Sequence, residues 1–309
     1  MLIIFCGDPL QPRQPDSMYA NEYAAAQAAG FTTGLLDFEA LVDAGDAPLA
    51  LRRLPAPGSI DRDTALYRGW MLKVADYERL YVALAERDID LITTPAAYRL
   101  CHYLPAAYTL IAARTPATVW LADPLPLDFD RIMALLTPFG AAPVIVKDYV
   151  KSRKHEWAEA CYIPSAADRP AVERVVRRFV ALQGSDLTGG LVFRAFVSLE
   201  PLATHSKSGM PLTREYRLFW CDGQLLSATA YWEEGDYGEE VPPAEQFAAI
   251  ARTITSRLFT MDIARRTDGE WIIVELGDGQ VAGLPDRLDV TSFYTKLAAC
   301  LGAATPSEY

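Results

Sequence analysis

The sequence predicts an α/β protein made of three successive subdomains. Strand and helix patterns alternate over the first third of the chain, an apolar strand ending in lysine lies near the middle, and two apolar strands that carry acids lie near the end. The chain has 309 residues, of which 51% are hydrophobic. This length and composition are typical of a globular protein that can form more than one core.

Residues 1–115 are predicted to form the first subdomain. The predicted strands are Leu2–Cys6, Thr33–Phe38, Ala65–Tyr67 and Ile89–Thr93, and the predicted helices are Tyr19–Ala29 and Lys73–Glu86. In the second helix, apolar residues recur at helical spacing. Because strands alternate with helices, we expect a parallel sheet. The first apolar run has no positively charged segment before it and is interpreted as a strand, not a signal peptide. Residues 55–58 (PAPG) are typical of a loop.

Residues 116–198 are predicted to form the second, smaller subdomain. Its predicted strands are Thr118–Leu121, Pro143–Lys147 and Leu191–Val197, and its predicted helices are Asp128–Leu136 and Asp168–Leu182. Asp128 is a typical helix N-cap. The Val-Ile-Val run before Lys147 favours a buried strand.

Residues 199–309 are predicted to form the third subdomain. It begins with strands at Tyr216–Trp220 and Gln224–Tyr231, joined by a Cys-Asp-Gly hairpin turn. A helix over Ala244–Phe259, the acid-bearing hairpin and a closing helix at Val290–Leu301 follow.

Composition argues against several function classes. The net charge of −11 disfavours general binding to nucleic acid or anionic membranes, and no apolar run approaches the roughly 18 residues that span a bilayer. The five cysteines are far apart in apolar contexts, so we expect buried thiols in a reducing cytoplasm. The three histidines are scattered and no CxxC occurs, which disfavours a zinc site.

Two acids on the late hairpin are the strongest chemical signal. Asp262 lies on one apolar strand and Glu275 on the next, so the hairpin can place them side by side. Adjacent carboxylates resist joint ionisation, and such a pair usually holds a cation or a shared proton. Magnesium prefers oxygen ligands, and Asp278 is close enough to assist. The alternative is a pair of surface acids, which the buried-looking strand before Glu275 disfavours.

Basic residues in the middle of the chain complement these acids. Lys147 ends an apolar strand, and Lys151, Arg153 and Lys154 follow within seven residues. Such a loop can clamp several phosphate oxygens. It contains no glycine and is therefore not a Walker loop. The alternatives are a surface lysine with a buried stem and a solvated charged turn.

Two further arginines lie on predicted strands. Arg194 interrupts an apolar strand, where a buried arginine needs an ion-pair partner or an anion. The backbone beside it could bind an adenine edge, and Glu200 could accept hydrogen bonds from ribose hydroxyls. The alternative is an edge strand with an outward arginine. Arg217 shares a strand face with Glu215 and could form an ion pair with it or meet a phosphoryl group.

In this order the segments resemble the ATP-grasp superfamily, and most closely its clade named for one Arg and two Lys. The segments KDYVKSRKHEW, FRAFV, EYRLFW and ELGDGQ carry the resemblance, which extends more distantly to the eukaryotic cell-division-cycle assembly chaperones of translation initiation factor 2. The resemblance implies a pre-ATP-grasp domain at 1–115, a lid at 116–198 and a larger C-terminal subdomain at 199–309.

The resemblance also implies roles for individual residues. Lys147 and one of Lys151 or Lys154 would hold phosphates, and Arg217 would face the γ-phosphate. Asp262 and Glu275 would bind Mg²⁺. The hinge beside adenine would be formed by Arg194, Phe196, Val197 and Glu200. Many members have Asn two residues after the glutamate, where this chain has Gly277. We expect Asp278 to substitute for it.

The expected function is that of a cytoplasmic carboxylate–amine ligase that uses ATP and Mg²⁺. Its substrate would be a small-molecule, peptide or protein carboxylate, and Arg68 in LYRGWMLK is the candidate ligand for that carboxylate. A nucleotide-dependent assembly factor without ligase turnover, which Gly277 slightly favours, and a phosphotransferase for small hydroxyl substrates remain as alternatives. The sequence leaves the oligomeric state open.

Overall fold

The computed structural model describes residues 1–55, 64–207 and 210–302. Most of the loop predicted at 55–58 lies outside these ranges. Within them, three four-stranded sheets follow one another along the chain, and one falls inside each predicted subdomain. None of the helices in these ranges combines the length and the apolar character needed to cross a bilayer. The exact subdomain boundaries remain predictions.

The first sheet is parallel, as predicted, with strand order β2-β1-β3-β4. Its strands are β1 (Leu2–Cys6), β2 (Thr32–Leu36), β3 (Thr64–Arg68) and β4 (Asp90–Leu91). The helices between them are α1 (Ala20–Ala28), α2 (Phe38–Val42), α3 (Ala47–Ala50) and α4 (Val74–Ala85). All four predicted strands and both predicted helices are confirmed, apart from shifts at their ends.

Two further helices, which the sequence did not predict, connect this sheet to the next. They are α5 (Pro95–His102) and α6 (Leu104–Ile111). Thr94 caps α5 by accepting a hydrogen bond from the Ala97 amide, and Pro95 suits the first turn of a helix. Both helices pack against the third sheet and form one wall of the cavity described below.

The second sheet has the strand order β5-β8-β6-β7, and all its pairs are antiparallel. Its elements are β5 (Thr118–Ala122), α7 (Phe129–Leu136), β6 (Val144–Lys147), α8 (Trp157–Ala160), β7 (Tyr162–Ile163), α9 (Arg169–Gln183) and β8 (Gly190–Ala195). The predicted cap is confirmed, because the Asp128 carboxylate accepts hydrogen bonds from the amides of Asp130 and Arg131. Apolar faces of α7 and α9 cover one side of this sheet.

The third sheet has the order β12-β11-β13-β14 and is also antiparallel. A two-stranded ribbon, β9 (Pro201–Thr204) and β10 (Pro211–Thr213), precedes it. The remaining elements are β11 (Glu215–Cys221), β12 (Gln224–Ala230), α10 (Ala248–Ala251), β13 (Leu258–Arg265), β14 (Trp271–Asp278) and α11 (Val290–Leu301). The predicted hairpins and the closing helix are confirmed.

The helix predicted over Ala244–Phe259 is mostly wrong. A 3₁₀ turn at Ala244–Phe247 leads into the four-residue helix α10, and the chain is already in strand β13 at Leu258. Thr253, Ile254 and Thr255 follow α10, and β-branched residues have a low helix propensity. Leu258 and Phe259 instead pair with β11.

The expectation of unpaired cysteines is wrong for two of the five. Cys221 at the end of β11 and Cys300 on α11 form a disulfide, although 79 positions separate them in sequence. Packing of α11 against the third sheet brings them together. Cys6, Cys101 and Cys161 are free and buried, as expected.

A buried ionic network joins the first subdomain to the third. Arg68, at the end of β3, is only 2% exposed and donates from two of its nitrogens to the carboxylate of Glu22, at 2.7 and 2.9 Å. The Tyr294 hydroxyl on α11 donates to the same carboxylate at 2.8 Å. A third nitrogen of Arg68 donates to the carbonyls of Gly279, Gln280 and Ala282, just after β14. This network therefore fixes the loop that follows the acidic hairpin.

We expect Arg68→Met to lower the free energy of unfolding by about 3–5 kcal/mol, because it leaves the Glu22 carboxylate buried without a cation. Equilibrium urea denaturation measures this loss. Arg52→Met is the matched control, since the Arg52 side chain is 48% exposed in its pair with Asp37 and its loss should cost less than about 1 kcal/mol. A similar small loss in both variants would contradict the structural role of Arg68.

Candidate active site

A cavity of about 360 Å³ lies between α5 and α6, the loop after β6, and strands β11, β13 and β14. It brings together most of the residues that the sequence singled out. Those that line it are Lys147, Lys151, Lys154, Arg217, Asp262, Glu275 and Asp278. The same small volume therefore contains the predicted cations from the second and third sheets and the predicted acids.

Three of these residues form one row across the third sheet. Asp262 on β13 is the register partner of both Arg217 on β11 and Glu275 on β14. Directly opposed residues on neighbouring antiparallel strands have Cβ atoms roughly 4.5–5.5 Å apart. The register therefore places a cation and two acids on one face of the sheet. The side-by-side arrangement that the hairpin length predicted is confirmed for Asp262 and Glu275.

The acids of this row are paired with cations. The Arg217 guanidinium donates to both oxygens of Asp262, at 2.8 and 2.7 Å. The Lys147 ammonium lies 3.4 Å from an oxygen of Glu275. Burial raises the pKa of Asp262 above its ordinary value, although Arg217 opposes this shift. Burial would also raise the pKa of Glu275, but Lys147, Arg217 and Arg194 together lower it.

These acids fit a divalent metal ion. The Asp262 side chain is 4% exposed, whereas the Glu275 side chain is 41% exposed, and this exposed part borders the cavity. Adjacent carboxylates with cavity-facing oxygens are the donors that Mg²⁺ prefers. The cations that now neutralise them would be free to meet an anion once a metal ion replaced them at the acids.

Asp148 shapes the loop that carries the lysines. It is fully buried directly after β6, and one of its oxygens accepts hydrogen bonds from the amides of Val150 and Lys151, at 2.7 and 2.5 Å. Its other oxygen accepts from the Gln183 side chain at 2.7 Å. These bonds fold the chain back after Lys147 so that Lys151 also faces the cavity.

A glycine is required beside this loop. Gly189 has a φ of +74°, and a Cβ atom there would lie 2.2 Å from the ring of Tyr149. Any side chain would therefore displace Tyr149, whose amide donates to the Thr188 carbonyl. Lys154, further along the loop, lies with its ammonium 5.2 Å from the centre of the Trp232 ring, which tethers the loop to the third subdomain.

Asp278 borders the cavity from a different side. Three positions separate it from Glu275, so alternation along β14 places the two side chains on opposite faces. One Asp278 oxygen accepts from the amide and the side chain of Gln280, and the other has no hydrogen-bond partner among the described residues. Burial raises its pKa to about 7. This placement does not favour the predicted metal role of Asp278.

The predicted hinge residues lie outside the cavity lining. The Arg194 guanidinium is buried and donates to the carbonyls of Ile273 and Val274 and to the Thr115 hydroxyl. It thereby fastens β8 to β14 immediately before Glu275. Burial lowers its pKa to about 10. Its role near adenine stays a prediction.

The other hinge residues surround the end of β8. Phe196 is 37% exposed and its ring packs edge-on against Trp157 and Tyr162. Val197 follows it in the chain. Glu200 is paired with Arg214 at 2.9 Å and with Arg265 at 3.3 Å. The adenine and ribose contacts of these residues also stay predictions.

Arg68, the candidate substrate ligand, lies outside the cavity lining as well. All its nitrogens already donate to Glu22 or to backbone carbonyls. The structure therefore supports a positioning role for Arg68 and not contact with a substrate carboxylate. A strand-ending arginine in a conspicuous motif has the same sequence signature in both cases.

Sequence reasoning missed other residues of the cavity. His102 and Met71 reach it from α5 and from the loop after β3, and Thr260 reaches it from β13. Burial lowers the pKa of His102 to about 4, so its imidazole is neutral at pH 7. Among the residues that were missed, only Asp148 left a usable signal in the sequence, as an acid directly after a buried strand; the others depend on how distant elements pack.

Solved structures share this fold. D-cycloserine synthetase DcsG has a TM-score of 0.56 and 16% identity, covering 97% of this chain and 99% of that one. The ATP-grasp ligase PsnB complexed with minimal precursor has a TM-score of 0.57 and 14% identity, with 98% and 99% coverage. An ATP-grasp RimK domain protein from Sphaerobacter thermophilus has a TM-score of 0.58 and 16% identity, with 96% and 98% coverage.

Identities this low establish the fold alone. Comparison with curated protein sequences finds no match. A family model, however, matches residues 138–297, just over half of the chain, and spans the cation loop and the acidic hairpin. The chain belongs to the ATP-grasp domain family that is the third of the clade named for one Arg and two Lys.

Proposed function

We propose that the protein is a Mg²⁺- and ATP-dependent carboxylate–amine ligase that acts through an acyl phosphate. One observation carries the proposal: four cations from two sheets face an adjacent pair of acids across a single cavity. This arrangement suits a triphosphate with a divalent ion. Structural neighbours that include D-cycloserine synthetase DcsG and the ligase PsnB, complexed with its precursor peptide, support a ligase.

The ligand-free ion pairs explain how such a site can be preorganised. Lys147 and Arg217 neutralise Glu275 and Asp262 while no ligand is bound. Mg²⁺, when held by Asp262 and Glu275, would supply positive charge beside the phosphate oxygens. Lys147, Lys151, Lys154 and Arg217 would then bind and orient the phosphates, because charge-assisted hydrogen bonds from fixed cations stabilise phosphoryl oxygens.

The reaction balances without a nucleophile from the protein. A substrate carboxylate oxygen attacks the γ-phosphorus, the bond from that phosphorus to the β,γ-bridging oxygen breaks, and ADP leaves. An amine nitrogen then attacks the acyl carbon, the carbon–oxygen bond to phosphate breaks, and the amine loses a proton. The enzyme's contribution is positioning and electrostatic stabilisation, as in other phosphoryl transfers.

The cavity's own side chains agree with this mechanism. Cys101 and His102 both border it, yet burial raises the pKa of Cys101 well above its ordinary value. A protonated thiol is a poor nucleophile. Burial keeps the His102 imidazole neutral at pH 7 by lowering its pKa. A covalent cysteine mechanism is therefore not favoured by the groups at the site.

Two alternatives use the same cavity. A nucleotide-dependent assembly factor would bind Mg²⁺ and ATP without joining two substrates, and a phosphotransferase would phosphorylate a hydroxyl group. The intact set of cations and acids favours turnover over binding alone.

A direct assay separates these possibilities. The protein is mixed with ATP, Mg²⁺ and pooled carboxylic acids, amino acids and peptides, and phosphate release is followed together with product masses. A ligase releases phosphate only with an acceptor and gives a product that has lost one water relative to its two substrates. A phosphorylated hydroxyl compound would instead indicate phosphotransfer, and ATP binding without acceptor-stimulated phosphate release would indicate an assembly factor.

We expect Glu275→Gln to remove the Mg²⁺ dependence of nucleotide binding, because a neutral amide is a much weaker metal ligand than a carboxylate. Calorimetry with a non-hydrolysable ATP analogue should show affinity at least about tenfold weaker in Mg²⁺, near the value without metal. Glu78→Gln on the exposed face of α4 is the control. Unchanged Mg²⁺ dependence in Glu275→Gln would remove the metal assignment.

Lys147→Ala should weaken binding of the same analogue by about 1–3 kcal/mol, the scale of a charge-assisted hydrogen bond. This corresponds to roughly 5- to 150-fold in the dissociation constant. Lys296→Ala, on the exposed face of α11, should bind like the unmodified protein. If both variants bind equally well, Lys147 does not contact phosphate.

A further inference from the structure

A threonine and a glycine share the sheet face that carries the acids. Thr260 on β13 and Gly277 on β14 are register partners, two residues from Asp262 and Glu275 respectively. Because side chains alternate along a strand, Thr260 lies on the same face as Asp262, and position 277 on the same face as Glu275. Both Thr260 and Gly277 border the cavity.

The Thr260 hydroxyl occupies the space that a side chain at position 277 would need. A Cβ atom on Gly277 would lie 2.5 Å from the Thr260 oxygen, closer than real Cβ atoms come to a neighbour. The next nearest atom is the Thr260 Cβ, at 3.8 Å. Gly277 is thus compatible with this site because it leaves room for the hydroxyl.

The hydroxyl has no partner within the described protein. Thr260 is 1% exposed, and none of the residues that the structure describes makes a hydrogen bond to its side-chain oxygen. Secluded hydroxyls normally have a partner, since leaving one without a hydrogen bond costs free energy. A hydroxyl that borders a cavity and lacks a partner therefore points to a ligand within that cavity.

We propose that the Thr260 hydroxyl is the third protein oxygen of the divalent-cation site, in place of the side chain that position 277 lacks. The proposal rests on the proposed Mg²⁺–nucleotide function and refines it. Hydroxyl oxygens of Ser and Thr are established Mg²⁺ ligands at phosphate sites. The site is then formed by two carboxylates and one neutral oxygen on a single face of β13 and β14.

Charge and direction both favour Thr260 over Asp278 for this role. Asp262 and Glu275 already provide two negative charges for a divalent ion, and a neutral third oxygen adds none. Asp278 would add a third charge, and it lies on the opposite face of β14, where Gln280 donates to it twice. The expected substitution by Asp278 is therefore replaced by one from the neighbouring strand.

The test measures metal affinity directly. Mn²⁺ serves as the probe, and free Mn²⁺ is followed by electron paramagnetic resonance in the presence of a non-hydrolysable ATP analogue. We expect Thr260→Val, which keeps the branched shape but loses the oxygen, to bind Mn²⁺ about tenfold more weakly. Thr260→Ser keeps the oxygen and should stay within about twofold of the unmodified protein. Melting curves check that both variants are folded.

Two results would overturn the proposal. Unchanged Mn²⁺ affinity in Thr260→Val would show that the oxygen is not a ligand. Equal weakening in Thr260→Val and Thr260→Ser would show that packing of the methyl group, and not the hydroxyl, matters.

A compensating pair gives an independent arm. Gly277→Asn alone should weaken Mn²⁺ binding, because its Cβ would meet the Thr260 oxygen. Adding Thr260→Ala removes that oxygen and makes room for the amide, so the double variant should bind Mn²⁺ more tightly than either single variant. Simple addition of the two single losses would count against a shared position.

Failure of this proposal can be told apart from failure of the proposed function. If the unmodified protein binds no Mn²⁺ with the nucleotide analogue, both are wrong. If it binds, and Glu275→Gln abolishes binding while Thr260→Val does not affect it, only the role of Thr260 is wrong.

Discussion

The strand register that sets Arg217, Asp262 and Glu275 in one row is the constraint on which the rest of the site depends. It places two carboxylates against each other at the wall of a cavity, where their repulsion is stronger than in water. The sheet compensates with Arg217 from within the row and with Lys147 from the second sheet. A slip of one residue would turn the acid of the shifted strand to the other face of the sheet. The fold therefore fixes the charges before any ligand arrives.

Two buried arginines hold this row in place from outside the cavity. Arg194 joins β8 to the carbonyls just before Glu275, and Arg68 joins the first subdomain to the carbonyls just after Asp278. Both donate to the backbone, so they fix the position of β14 and the loop beyond it without occupying the site. Since a buried guanidinium needs its donors satisfied, each arginine also requires the local geometry that it maintains.

The fold itself does not specify a substrate. Proteins with this architecture carry out different reactions, and function depends on the groups that a particular chain places around the shared site. Here the wall opposite the acids comes from α5 and from the loop after β3, with His102 and Met71 at the cavity. These elements belong to the first subdomain, outside the segment that matches the family model. Substrate choice is therefore expected to reside in the part of the chain whose sequence is least characteristic.

The sequence by itself determined the alternation of elements, the parallel first sheet, the Asp128 cap, the acidic hairpin and the lysine-ending strand, because periodicity, caps and turns are local properties. It failed where pairing between distant segments decided the outcome: at Leu258 and Phe259, which join β11, and at Cys221 and Cys300. The same limit applied at the site. Asp262 and Glu275 were found because they share a hairpin, whereas the backbone-holding role of Arg68, the face of Asp278 and the partnership of Thr260 with Gly277 were set by register and packing. Only the tertiary structure determines which face a side chain takes and which donors remain free.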